Sequence, residues 1–249
     1  LAAFLACLCA GAQALECRQV KSQGKPYSVC TVDARRDDLR LFLADEAGQP
    51  YRGFDALAQA LSARGQTLAF AMNAGMYHPD ISPVGLFVAD GKEIAPLSIA
   101  SGKGNFFLKP NGVFHVTDTG ADALRLRFGV TETGRFAALG SGASRLGKVV
   151  LATQSGPMLL IGGKVHPAFR PDSDSRLLRN GVGLVSPQVA VFAISDAPVN
   201  FYEFALLFRD VLGCRDALYL DGNISSLRAE ELKRNDALHL LGPIIGVVR

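Results

Sequence analysis

Short runs of apolar and β-branched residues, separated by Gly, Pro, Asn, Asp and Lys, dominate the chain. Runs of this length bounded by turn residues predict strands. They fall over Tyr27–Val32, Leu39–Leu43, Thr67–Met72, Val84–Ala89, Val149–Thr153, Met158–Ile161, Gly181–Val185, Val189–Ile194 and Ala217–Leu220. Asp90-Gly91 and Gly162-Gly163 read as hairpin turns, because glycine takes a positive φ without steric cost. Helical period is confined to a few stretches. Phe54, Leu57, Ala58 and Leu61 share one face, as do Phe201, Phe204, Ala205 and Phe208 with Val211 or Leu212. Asn200 and Glu203 form a capping-box pattern, and Gly213 marks the stop. A weaker helix is expected over Leu227–Arg234. Ala100–Gly112 and His166–Gly181 read as long loops, which in a compact domain carry function or motion. The expected fold is therefore α+β: a single domain on large mixed or antiparallel sheets with a few flanking helices, without βαβ alternation.

Composition narrows the class. At 249 residues the chain makes one large domain or two small ones, with ample core. Its net charge of +3 comes from 26 basic and 23 acidic residues with no basic cluster, which argues against a nucleic-acid partner. Residues 1–14 carry no charge and end in Ala12-Gln13-Ala14, the apolar core and cleavage site of a signal peptide. The usual basic start is missing and residue 1 is Leu, which reads as a truncated signal segment; a buried first helix is the alternative. The expected domain then runs over residues 15–249, periplasmic or secreted. No other run approaches the roughly 18 apolar residues of a membrane span. Cys7 and Cys9 leave with the signal segment. Cys17 and Cys30 flank Lys25-Pro26, read as a turn between two strands, so a Cys17–Cys30 disulfide fits an oxidising compartment. Cys214 is left as a small buried apolar residue.

Several familiar motifs fail. The stretch Gly142 to Lys148 has phosphate-loop spacing, but Val149 replaces the hydroxyl residue and a strand follows. No nucleophile elbow, zincin or dinucleotide fingerprint is present, and the four histidines are scattered. Four polar clusters remain at the ends of apolar runs. They are Met72-Asn73-Ala74-Gly75-Met76-Tyr77-His78-Pro79-Asp80, Lys109-Pro110-Asn111-Gly112, the pair Gln154-Ser155-Gly156-Pro157 and His166 to Gly181, and Tyr219-Leu220-Asp221-Gly222-Asn223-Ile224-Ser225-Ser226. Asp221 just past a strand is aimed either into a cleft or into an ordinary capped turn; spacing does not choose. Arg179 has the competing option of pairing with Asp172 or Asp174.

Taken in order, Met-Asn-Ala-Gly-Met-Tyr, Lys-Pro-Asn-Gly, Gln-Ser-Gly-Pro, Arg-Asn-Gly-Val-Gly and Leu-Asp-Gly-Asn-Ile-Ser-Ser resemble the phosphodiester glycosidase family over about residues 25 to 249. The family often carries Asp-Gly-Gly where this chain has Asp221-Gly222-Asn223.

The resemblance implies an exported hydrolase that cuts between a sugar's anomeric carbon and a phosphate oxygen. Asp221 is then the catalytic carboxylate and His166 an acid or water positioner. Arg179 and Lys109 would bind phosphate, with backbone donors around Gly75 and Gly156. Asn73, Asn111, Ser155, Asn180, Ser225 and Ser226 would contact sugar or phosphate oxygens. Asp174 and Asp80 are the candidates for a second carboxylate. The partner is a small-molecule or glycan sugar-phosphate; the reaction requires no cofactor and leaves room for a divalent metal. A metal-dependent phosphodiesterase cleaving P–O and a non-catalytic domain binding envelope glycans are the alternatives.

Overall fold

A computed structural model describes residues 15–120, 125–139, 147–222 and 224–249. The expected signal segment, most of the phosphate-loop lookalike and Asn223 lie outside the described residues. In chain order the elements are β1 (Glu16–Ser22), β2 (Lys25–Asp33), β3 (Asp38–Phe42), α1 (Phe54–Ser62), β4 (Leu68–Asn73), β5 (Phe87–Ala89), β6 (Lys92–Ala95), β7 (Gly112–Asp118), β8 (Leu126–Glu132), α2 (Thr133–Leu139), β9 (Lys148–Ser155), β10 (Met158–Ile161), β11 (Lys164–Val165), β12 (Asn180–Ser186), β13 (Val189–Ser195), α3 (Phe201–Leu206), β14 (Asp216–Asp221), β15 (Leu227–Ala229), β16 (Arg234–Asn235) and β17 (Ile244–Val248).

The strands form three sheets. One has the order β1-β2-β13-β12-β14-β10-β11, the second β16-β15-β4-β17-β3, the third β6-β5-β9-β7-β8. Every ladder among the described residues is antiparallel, so the expected α+β class holds without a mixed sheet. Side chains alternate between faces along a strand. Leu218 and Leu220 of β14 enter a central core that also takes Phe70 and Met72 from the second sheet and Phe114 from the third. Ala217 and Tyr219 point the other way, against Phe204 and Phe208 of the α3 segment. α1 covers the outer face of the second sheet through Phe54, Leu57 and Leu61. α2 covers the third through Phe136. Each sheet thus turns one face inward and carries a helix on its other face, the way a layered domain hides apolar surface.

The local signals read from the sequence account for much of this. Asn200 caps α3 as expected: its Oδ1 accepts from Glu203 N at 2.9 Å, and Glu203 Oε2 accepts from Asn200 N at 3.0 Å. The helix then widens into π geometry over Leu207–Val211 and stops at Gly213, φ 69°. Gly181 and Gly183 let it lie close on the sheet. A Cβ on Gly183 would stand 2.6 Å from the Phe208 ring and 2.7 Å from Cys214 Sγ.

Two expectations need correction, and the expected disulfide is present. The turn between β1 and β2 is Gln23-Gly24, both at positive φ, while Lys25 and Pro26 already lie in β2. Gln is an unusual residue at positive φ, so the turn left no signature. The Cys17–Cys30 disulfide is present, between residues directly opposite in the ladder, 4.1 Å apart at Cα. The helix expected over Leu227–Arg234 is β15, a 3-10 turn at Glu230–Leu232 and β16. Leu227 and Ala229 pair with Met72 and Phe70 of β4, and this pairing overrides the helix-forming Glu-Glu-Leu-Lys-Arg stretch. Strands β7, β8 and β17 were not read from the sequence at all. No described helix is long and apolar enough to cross a membrane.

Candidate active site

Four strand ends meet at one place: β4 ends at Asn73, β9 at Ser155 and β14 at Asp221, and β12 begins at Asn180. Asn180 and Asp221 are register partners. Asn180 Nδ2 donates to the backbone carbonyl of Asn73 at 2.8 Å and to its Oδ1 at 3.1 Å. Ser226 N donates to the same Oδ1 at 2.9 Å. Ser225 Oγ reaches Asn180 Oδ1 at 3.2 Å and the Asp221 carbonyl at 3.1 Å. Ser155 Oγ donates to the Leu220 carbonyl at 2.9 Å, joining the third sheet to the first. Asn73, Ser155, Asn180 and Ser226 are buried, and Asp221 is half-buried at their rim.

Two observations separate Asp221 from an ordinary capped turn. Its Oδ1 accepts from the Gly222 amide at 2.6 Å, yet burial dominates and pushes its carboxyl up to about 7. A carboxyl so perturbed at a strand end is a marker of functional sites. Tyr77 and Tyr219 both lie within reach of its charge: each phenol is raised first by its own burial and further by the Asp221 charge. Sequence reasoning gave neither tyrosine a role, although both stand in the quoted motifs. An aromatic two residues from the carboxylate was the available signal. Tyr77 OH donates to the Leu240 carbonyl, and its ring occupies the space that a Cβ on Gly242 would take.

Arg179 is fully enclosed and pairs with neither Asp172 nor Asp174. Its Nε donates to the Val199 carbonyl and its Nη2 to the Ser175 carbonyl, both at 2.9 Å. Its guanidinium carbon sits 3.7 Å above the Phe201 ring, on the α3 face of the sheet, opposite Asn180. Asp172 is held instead by Arg170.

His166 is buried with both ring nitrogens engaged. Nδ1 accepts from Ala168 N at 3.2 Å, which leaves Nε2–H to donate to the Lys109 carbonyl at 3.1 Å. Burial lowers its pKa. The ring is therefore a neutral tie between two loops, with no nitrogen turned to solvent. Lys109 is exposed, and Asn111 spends its amide on the Phe106 carbonyl at 2.9 Å. Both line a cavity of about 480 Å³ with Glu132 and Thr133, beside the Asp221 cluster and without Asp221 in its wall. Gly156 packs on Asn111, and Gly75, at φ 136°, packs on Thr153 at the end of β9. Asp80 and Asp174 are exposed; Asp80 accepts from Ser82 N and Oγ in a local turn. No group of three or more His, Cys, Asp or Glu that could hold a metal is found among the described residues.

The sequence model of the phosphodiester glycosidase family matches residues 66–239, a span that holds every one of these site residues. The chain belongs to the phosphodiester glycosidase family. The uncharacterized protein YigE of Escherichia coli (strain K12) is 33% identical over 197 residues, 79% of this chain and 72% of that protein. Among solved structures, the zebrafish N-acetylglucosamine-1-phosphodiester alpha-N-acetylglucosaminidase catalytic domain, auto-inhibited by its pro-peptide, superposes with a TM-score of 0.63 at 12% identity, covering 96% of this chain and 84% of that one. A Burkholderia pseudomallei K96243 protein described as exported gives 0.57 at 12% identity, covering 90% and 74%. At such identities the two structures show a shared fold. In this member of the family the glycines of the Arg-Asn-Gly-Val-Gly motif pack against the helix, whereas Asn180 ties β12 to β4 through Asn73.

Proposed function

We propose that this phosphodiester glycosidase hydrolyses sugar-1-phosphodiesters by breaking the bond between the anomeric carbon and the phosphate oxygen, with Asp221 as the carboxylate that activates water. The observation that carries the reading is the half-buried Asp221 at the junction of four strand ends, its carboxyl pushed up to about 7 by burial. Such a group is ionised just above neutrality and still basic, which suits proton removal from water. An anomeric phosphate leaves readily, so one carboxylate suffices. Water oxygen joins C1, the C1–O bond breaks, the phosphate monoester leaves with the bonding pair, and Asp221 takes the water proton. Asn73, Asn180, Ser225 and Ser226 hold the strand ends that present this carboxylate, and Ser155 fixes them to the third sheet. Backbone donors at Gly75 and Gly156, with Lys109 at the edge, belong to the phosphate side. The protein acts outside the cytoplasm, a reading supported by the Cys17–Cys30 disulfide and by the structural relative described as exported.

Hydrolysis of a panel of sugar-1-phosphodiesters in ¹⁸O-labelled water tests the reaction. Label on the sugar hydroxyl is expected; label on phosphate would mean P–O cleavage and defeat the proposal. A chelator arm with unchanged rate is expected, because no step above uses a metal. Binding of the panel without turnover in either arm would leave a glycan-binding domain.

A further inference from the structure

The enclosed Arg179 is an expensive residue. A buried cation without a carboxylate partner carries a large desolvation cost, offset only in part by hydrogen bonds and an aromatic face. Two of its three donor edges are spent on the carbonyls of Val199 and Ser175, which fix its plane over Phe201. That face continues through Phe169, 4.9 Å from Phe201, to His166, 4.7 Å further. The remaining edge, Nη1, lies 3.5 Å from the Tyr219 hydroxyl. The hydroxyl in turn occupies the space over Gly222: a Cβ there would stand 2.3 Å from it, while Leu177 Cδ1 and Tyr219 Cζ would both be at 3.6 Å. Gly222 N donates to Asp221 Oδ1. One continuous path therefore runs from the guanidinium to the phenol oxygen, to the Gly222 backbone, to the Asp221 carboxylate.

We propose that Arg179 and Tyr219 are positioning residues: the guanidinium locks the Tyr219 hydroxyl as a stop on which the Asp221-Gly222 turn is seated, and so aims the carboxylate. The inference rests on the reading of Asp221 as the catalytic group. It gives Arg179 a role behind the carboxylate in place of direct contact with phosphate, which its complete enclosure does not allow in this conformation.

The test compares the full chain with Tyr219→Phe, Gly222→Ala, the double variant Tyr219→Phe/Gly222→Ala, Arg179→Lys, and Arg179→Lys/Tyr219→Phe. Melting temperature is read on all of them, and kcat, KM and pH profile on a cleaved sugar-1-phosphodiester. Gly222→Ala is expected to melt well below the wild type and to lose activity. Adding Tyr219→Phe should restore the melting temperature, because the contacts left to the new methyl are ordinary ones. Tyr219→Phe alone should lower kcat at least tenfold with KM within twofold, and shift the acid limb of the pH profile. Arg179→Lys should lower kcat similarly and add nothing in the Tyr219→Phe background, since both act through one hydroxyl. Wild-type kinetics in Tyr219→Phe, additive losses in the Arg179→Lys/Tyr219→Phe variant, or Gly222→Ala melting unrescued by Tyr219→Phe would overturn the proposal. If the wild type cleaves no sugar-1-phosphodiester, the proposed reaction fails, and the melting comparison alone then decides the seating.

Discussion

Asn180 reaches Asn73 across 107 positions of chain and hydrogen-bonds both of its carbonyl oxygens. The amide orientations are fixed, because Ser226 N also donates to Asn73 Oδ1 and Ser225 Oγ donates to Asn180 Oδ1. These contacts clamp β4 of the second sheet to β12 and β14 of the first. Asn73 Nδ2 is left buried with no partner among the described residues.

Removing the clamp costs stability and activity together. Asn180→Ala removes the side-chain donor to the Asn73 carbonyl, one of the two donors to Asn73 Oδ1 and one of the two acceptors of the Ser225 hydroxyl, at about 2–4 kcal/mol in all. The melting temperature should fall by roughly 5–15 °C for a domain of this size. A thermal melt followed by circular dichroism checks it, and a variant melting within a degree of the wild type would remove Asn180 from the junction.

Asp221 should set the pH dependence. Its folded pKa of about 7 lies above the ordinary carboxylate value of 3.8. The rate should therefore rise through about pH 7 as the carboxylate forms. The native state binds the proton more tightly than the unfolded chain, so this group's contribution to stability is full below about pH 4 and is lost as pH rises to about 7. Asp221→Asn should cost at least a thousandfold in kcat while leaving the protein about 2–4 kcal/mol more stable at pH 8. Denaturant unfolding of both proteins at pH 5 and pH 8 separates the two effects; an active Asn variant would move the chemistry elsewhere.

His115 works in the opposite sense. It is buried beneath α2, its Nε2 meets Thr131 Oγ1 at 3.1 Å, its Nδ1 has no partner among the described residues, and burial lowers its pKa to about 4. Between about pH 6.5 and 4 the unfolded chain takes up a proton that the native state refuses. Stability is therefore present above 6.5 and falls by about 3 kcal/mol on acidification to 4. His115→Gln should flatten that part of the stability–pH curve, as read by urea unfolding across the range.

The motif glycine at 183 is a packing residue. A methyl there would press on Phe208 and Cys214, so Gly183→Ala should cost about 1–3 kcal/mol by overpacking. Its kcat should stay within twofold of the wild type, measured alongside its melting temperature. A large kcat loss with unchanged melting would place this glycine in the site instead.

Where the signal was local, it could be read. Met158–Ile161 was bounded correctly because Pro157 and Gly162-Gly163 frame it. The Asn200–Glu203 cap and the Asp90-Gly91 and Gly162-Gly163 turns depend on residues within four positions of one another. Where tertiary partners decide, it could not. Leu227–Arg234 looks helical until β4 offers it a ladder. Ile244–Val248 becomes a central strand only because β4 and β3 lie on either side of it. For the site, Asn73, Asn180 and Asp221 stand at legible strand ends. The enclosure of Arg179, the engagement of both His166 nitrogens and the approach of Tyr77 to the Asp221 charge come from chain segments far apart in sequence.

The sequence by itself determined the strand-rich α+β class, the pairing of Cys17 with Cys30 and the ordered motif peptides of the family, since each is written in short-range pattern or residue type. Only the tertiary structure decided which motif residues meet and what each one faces. Burial and hydrogen-bond partnership are properties of the space between segments, and that space alone lifts one carboxyl to near neutrality and leaves Asp80 and Asp174 in solvent.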